Sequence, residues 1–310
     1  MADPDRTDEP EPLELPPPKR TLLGRVAHWV ENARALKGWV REARKSSPAL
    51  DATFETIERD SHIGGGMLAG ALSYRLFIFS LPLAFFLVSG LGVLANALGV
   101  EPHVVVNSVG VAGTVTKQVQ GAAKSSSNWW VALTSLLVLV YMTRVLLRAI
   151  AIVHALAWDG SAAAVKVSTR QLEIFAAAIV GQLLLVAGLG AVNHQTAVGG
   201  VIVLILFVFA LGGLWLAVSL QLPHADARWT DLIPGSLFYA IGTVGVQIFN
   251  VLILGQMIKE KSTTYGALGI AGAILIDLFL IGRVIVGAAV VNATLYERSS
   301  RPAGQSESPG

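Results

Sequence analysis

The chain has 310 residues, of which only 14% are charged and 53% hydrophobic, with 31 glycines and a mean hydropathy of +0.61. A soluble domain carries about a quarter charged residues; a chain this poor in charge could not cover its own surface, so the composition points to an integral membrane protein. A net charge of +2 gives no basic footprint for nucleic acid, and the absence of cysteine excludes disulfides, thiolate metal sites and cysteine nucleophiles.

Residues 1–20 are acidic and proline-rich, with too few apolar side chains to offset the entropy of ordering, and are expected to be a disordered tail. They lack the basic start and apolar run of a signal peptide. Residues 21–62 are expected to form amphipathic helices. Leu22, Val26, Trp29, Val30, Ala33, Leu36, Val40 and Ala43 recur at three and four, with Arg25, Arg34, Lys37, Arg41 and Arg44 between them. That pattern fits a helix lying in the headgroup region or, alternatively, one packed on a soluble neighbour. Ser47-Pro48 then restarts a helix through Asp60, with serine as cap and proline at the first helical position.

The membrane domain occupies 63–296. Asp, Glu, Lys and Arg are absent from 76–100, 125–143, 174–225 and 232–258. A spanning helix needs about 20 apolar residues, so the third run holds two helices, divided at Asn193-His194-Gln195-Thr196. A last apolar stretch from Tyr265 to Tyr296 contains Asp277 and Arg283. Six spans follow: 66–97, 129–157, 173–192, 198–222, 232–257 and 265–295. The fold class is therefore all-α, a polytopic membrane protein of six transmembrane helices with interfacial helices before them. Pro82 is expected to kink the first span, and 297–310 to be a disordered tail.

Basic residues orient the chain. With both termini cytoplasmic, the inner side receives fifteen Lys/Arg and the outer side only Lys117, Lys124, Lys259 and Lys261. Segment 101–128, the largest on the outside, reads as a short amphipathic helix on the outer leaflet.

Charges within spans are expensive and mark candidate sites. Arg75 lies about three turns into the first span, while Asp277 and Arg283 are near the middle of the last. Asp277 shares a face with Gly266, Ile270 and Ala273, so it should point into the bundle. It reads either as a structural ion pair with Arg75 or Arg283, or as a substrate or proton site. Arg144 and Arg148 approach the inner end of the second span and can snorkel to headgroups. In the fifth span Ser236, Tyr239, Thr243, Gln247 and Asn250 share one face, which must meet protein or a wet cavity. Enzyme chemistry is not expected. The six histidines are scattered, and no H-E-x-x-H, phosphate loop or G-x-S-x-G elbow occurs. No metal or other cofactor is expected either.

The run Glu58-Arg59-Asp60, Gly70-Ala71-Leu72-Ser73-Tyr74 and Phe79-Ser80-Leu81-Pro82-Leu83 resembles the opening of the YihY/BrkB family of bacterial inner-membrane proteins. Further on, Pro223, Asp231-Leu-Ile-Pro-Gly235, Tyr265-Gly266 and Gly287-Ala288-Ala289 are similar to later family landmarks. The family motif thus falls here on Ser73, Tyr74, Ser80, Pro82, Tyr265, Gly266 and Gly287. Three positions depart from the pattern: Ala289 replaces a usual Glu, Asp277 falls near a usual aromatic, and Arg144 stands where an Asp is common. The resemblance implies six spans with both ends inside, in a bacterial inner membrane. It also brings links to virulence and to export of envelope lipids; the family's old label of tRNA-processing ribonuclease conflicts with the chemistry of this chain. Together these readings lead to transport or flipping of an amphiphilic, anionic, lipid-like envelope molecule, with the lipid bilayer as partner and no nucleic acid. The alternative is a non-transporting membrane scaffold for envelope assembly. A wet, polar-lined cleft would favour the first and a dry packed bundle the second.

Overall fold

The computed structural model describes residues 47–98, 129–191, 197–254 and 267–301. The amphipathic segment 22–44, the acidic tail, segment 101–128, the Asn193–Thr196 divide and Tyr265-Gly266 lie outside these residues. By contacts the chain divides into Met1–Phe54 and Glu55–Gly310. In the first unit, Ser47–Phe54 forms the opening of helix α1 (Pro48–His62), where the Ser47 carbonyl accepts the Asp51 N–H at 3.1 Å. Pro48 stands where a missing N–H costs nothing.

The second unit holds the rest of α1 and six long helices: α2 (Gly65–Leu98), α3 (Trp129–Ala157), α4 (Thr169–Ala191), α5 (Ala197–Ser219), α6 (Ile233–Phe249) and α7 (Ala267–Ser300). All six are long and apolar enough to cross a membrane, and no strand occurs among the described residues. Each starts within four residues of the span expected for it from the apolar runs. Gly64, at φ 68°, turns the chain between α1 and α2, a conformation that glycine adopts without strain. α2 continues through Pro82 without a break.

α7 occupies the centre, packed on α2, α3 and α6, and it runs antiparallel to α6: Gly235 meets Asn292, Gly242 meets Val284 and Asn250 meets Asp277. α4 is peripheral, held mainly by α5. Close approach explains the centre. At Gly282 an added Cβ would lie 2.8 Å from the Ala69 carbonyl of α2, and at Gly287 it would lie 2.6 Å from the Phe238 ring of α6. At Gly235, in the first turn of α6, it would press on the Ala288 carbonyl and stand 2.5 Å from the Asn292 amide. The bare Gly235 N–H instead donates to Asn292 Oδ1 at 2.6 Å. The first N–H groups of a helix have no partner within it, so α7 caps α6 through the core.

Two connections show local capping. Ser168 and Gln171 bond reciprocally at the start of α4, at 2.8 and 3.3 Å. Asp231 accepts the Arg228 N–H at 2.8 Å and closes the short 3-10 turn Trp229–Leu232 that leads into α6.

α7 runs five residues past the end expected for the last span, into the segment read as tail. Its final turn gains ionic partners: Arg298 and Arg301 meet Glu55 at 2.7 and 2.6 Å. Arg59 ties the same end together. It donates to the Ala157 carbonyl closing α3 at 2.9 Å, and pairs with Asp159 at 2.7 Å and Glu297 at 2.6 Å.

Candidate functional site

A cavity of about 250 Å³ lies among the six long helices, and all six contribute to its wall. Leu76 and Phe79 of α2, Ile150 of α3, Phe175 of α4 and Ile281 of α7 make it largely apolar. The polar exceptions are Gln182, Tyr239 and Trp215. Tyr239 Oη donates to Gln182 Oε1 at 3.2 Å, joining α6 to α4. Trp215 of α5 stacks on Tyr239 with ring centroids 4.0 Å apart and planes 10° from parallel. His154 of α3 has its ring centroid 6.2 Å from the indole, with the planes tilted by 50°. A second, more open groove is lined by Val186 of α4, Phe207 of α5 and Val244, Gln247 and Val251 of α6. Val186 belongs to both walls.

The expected polar face of α6 is only partly continuous. Ser236 is buried and bonds its own helix, donating to the Leu232 carbonyl at 2.8 Å. Tyr239 is in the cavity wall, Thr243 is half-buried one turn on, and Gln247 is exposed in the open groove. Asn250 donates to Asp277 Oδ1 at 2.8 Å, where α6 passes into the π-helical turn Asn250–Leu254. Such single-turn expansions break regular helix pairing and recur at functional positions.

Asp277 points toward a neighbouring helix, as its face implied, but its partner is an amide and not an arginine. Arg283 binds Asp60 instead, with both guanidinium nitrogens on both carboxylate oxygens at 3.1 and 3.0 Å. The reason lies in helix geometry. Six residues advance about 600°, so Asp277 and Arg283 point about 120° apart on α7, one toward α6 and the other toward α1. Arg75 is not a partner either. Leu72 and Ser73 face inward while Tyr74 and Arg75 are exposed. Arg75 makes no hydrogen bond or ion pair among the described residues.

Arg144 and Arg148, at adjacent turns of one face of α3, are exposed like Arg75. Three exposed arginines thus lie on α2 and α3, which pack against each other.

Ser73 and Ser80 turn back on α2, bonding the Gly70 and Phe77 carbonyls at 2.8 and 2.7 Å, and Gly287 lets Phe238 approach α7. These motif positions build helix contacts and not the cavity. Ala289 is fully buried in the cluster of Ala69, Val153, Val286 and Val290. No group of three His, Cys, Asp or Glu placed to hold a metal occurs among the described residues.

The family model for Virulence factor BrkB matches residues 57–309. The chain belongs to the BrkB family. The match takes in all six long helices and begins within α1, so it includes Arg59 and Asp60, which join α1 to the bundle. Comparison with curated proteins and with solved structures gives no match.

Gln182, Trp215 and His154 are the residues that the sequence did not single out. One signal was available: Gln182 is the only polar side chain between Ile174 and Ala191, and a lone amide in lipid needs a protein partner. Trp215 and His154 carried none, since nothing in their own helices shows that α3 and α5 bring them together.

Proposed function

We propose that this BrkB-family protein moves an amphiphilic, lipid-like and anionic envelope molecule across a bacterial inner membrane, with both termini in the cytoplasm and no chemical catalysis. The observation that carries the reading is the apolar cavity walled by all six helices and separated from an open groove by Val186. An apolar wall suits a hydrocarbon chain, not a hydrated solute. The outward arginines Arg75, Arg144 and Arg148 add a reason to expect an anionic head, since guanidinium at membrane depth is costly without an anionic partner. Asp277 and Asn250 form a polar contact at the π turn, where a pathway would meet relaxed backbone.

The test is reconstitution of the full chain in vesicles containing phosphatidylglycerol with a fluorescent tag, followed by a bleaching reagent that does not cross the bilayer. The native protein should expose inner-leaflet lipid to bleaching. Val186→Trp, which fills the boundary between groove and cavity, should abolish this without lowering thermal stability. If native and empty vesicles behave alike, the reading is wrong. The scaffold reading has one observation in its favour, that the cavity is not a polar-lined cleft, and it predicts that null result.

A further inference from the structure

The contact between α6 and α7 leaves one polar atom unaccounted for. Asn250 Nδ2 donates to Asp277 Oδ1 at 2.8 Å, yet Asn250 Oδ1 is buried and accepts nothing. Both residues lie inside helices able to span a membrane, Asn250 in Trp229–Leu252 and Asp277 in Ala271–Ser300. At such depth an unsatisfied acceptor finds no water. Asp277 is half-buried about three turns into α7, and Asn250 is the only side chain bonded to it among the described residues. A carboxylate so placed is costly without a cation or several donors.

No described cation takes that part. Of the helices packed on α7, α2 carries Tyr74 and Arg75, and α3 carries Tyr141, Arg144 and Arg148, all exposed. His154 of α3 is buried beside Trp215, Tyr239 of α6 bonds Gln182, and Asp231 closes the turn before α6. On α7 itself Arg283 binds Asp60. One proton answers both deficits. An ionised carboxyl can only accept, whereas a protonated one also donates through its O–H. The oxygen and the N–H of one planar amide match the O–H and C=O of a carboxylic acid, bond beside bond. The proton removes the charge and supplies the donor that Asn250 Oδ1 lacks.

We propose that Asp277 and Asn250 form a proton-binding site between α6 and α7. Asp277 Oδ2 takes up one proton, and its O–H donates to Asn250 Oδ1 while Asn250 Nδ2 keeps donating to Asp277 Oδ1. Release of the proton breaks the first bond and leaves a carboxylate oxygen against an amide oxygen, two acceptors that repel. The contact beside the π turn Asn250–Leu254 is therefore tight when protonated and loosened when not. The assignment goes beyond the transport reading, to which it adds the proton as the coupling ion. Proton binding at this pair does not depend on that reading.

The test uses the full chain in lipid nanodiscs and reads protonation by infrared spectroscopy, in which a carboxylic acid C=O stretch stands apart from that of a carboxylate. The native protein should show an acid band at neutral pH that fades as pH rises. Asp277→Asn, whose amide keeps the paired shape, should lack that band. Asn250→Leu removes both hydrogen bonds and should move the band to higher frequency. Absence of any Asp277-dependent acid band overturns the assignment, and so does a band that Asn250→Leu leaves unmoved. If a variant fails to fold, the native protein decides by its reaction with dicyclohexylcarbodiimide, a lipid-soluble reagent that attacks protonated carboxyls. An adduct on Asp277 that diminishes as pH rises upholds the site; no adduct at any pH overturns it. The readout is protonation and not movement, so a protein with the acid band that exposes no inner-leaflet lipid would refute transport alone. A protein that moves lipid without the acid band would refute this site alone.

Discussion

Asp60→Asn isolates the ion pair that joins α1 to the middle of α7. The replacement keeps the side-chain shape, so the tight contact with the Gly65 backbone is preserved and only charge and one acceptor are lost. Both guanidinium nitrogens of Arg283 bind the carboxylate, a paired geometry that is about twice as strong as neutral hydrogen bonds. Breaking one side of a fully buried pair costs roughly 3–5 kcal/mol, while an exposed pair contributes about 0.2–1. Arg283 and Asp60 are 35% and 21% exposed, between these limits, which places the loss at about 2 kcal/mol. For a body of this size that corresponds to a fall in Tm of about 4–8 °C. The assay is thermal unfolding in detergent for Asp60→Asn, Arg283→Gln and the double variant. The double variant should lose much less than the sum of the singles, because it leaves no unpaired charge, giving a coupling of about 2 kcal/mol. Strict additivity would show that Arg283 does not depend on Asp60, and the account of how α1 is held would fail.

Two further outcomes follow from the packing of α7. Gly235→Ala should be among the most destabilising single-methyl additions, by about 2–3 kcal/mol, since its Cβ meets the rigid Ala288 carbonyl and displaces the Asn292 cap; a melting temperature equal to the native one would show that α6 and α7 are not in this register. Asp277→Asn should cost less than about 1 kcal/mol, because the carboxylate accepts from Asn250 and no arginine is left unpaired. Asp277→Leu, which orphans the half-buried Asn250 amide, should cost about 1–3 kcal/mol. A large loss for Asp277→Asn, measured in the same melts, would reveal a cationic partner and return Asp277 to an ion pair.

The helices were legible because lipid removes the ambiguity that water leaves. A continuous apolar run of about 20 residues satisfies its backbone in a bilayer as a helix, and flanking charges or polar breaks such as Asn193–Thr196 limit where it can lie. Where a boundary moved, at the end of α7, the cause was Glu55, a residue 243 positions from Arg298. Partner choice was illegible for the same kind of reason. Depth within the spans suggested that Asp277 pairs with Arg75 or Arg283, but Arg75 is exposed on α2, about 120° of helix rotation separates Asp277 from Arg283, and Asp277 and Arg283 each bind a residue on a different element. Periodicity also says which way a side chain points without saying whether anything is there. Ser236 and Gln247 differ by eleven residues, within about 20° of the same direction on an ideal helix. Yet Ser236 is buried between α6 and its neighbours while Gln247 opens into a groove. What changes between them is depth along α6. Near Ser236, Gly235 brings α7 within backbone contact, and nearer Gln247 the groove bounded by Val186 and Phe207 separates the helices. The separation of the helices at each level, set by where small residues meet, decides which polar groups become packing and which face a cavity. That information is shared between helices, and no one of them carries it alone.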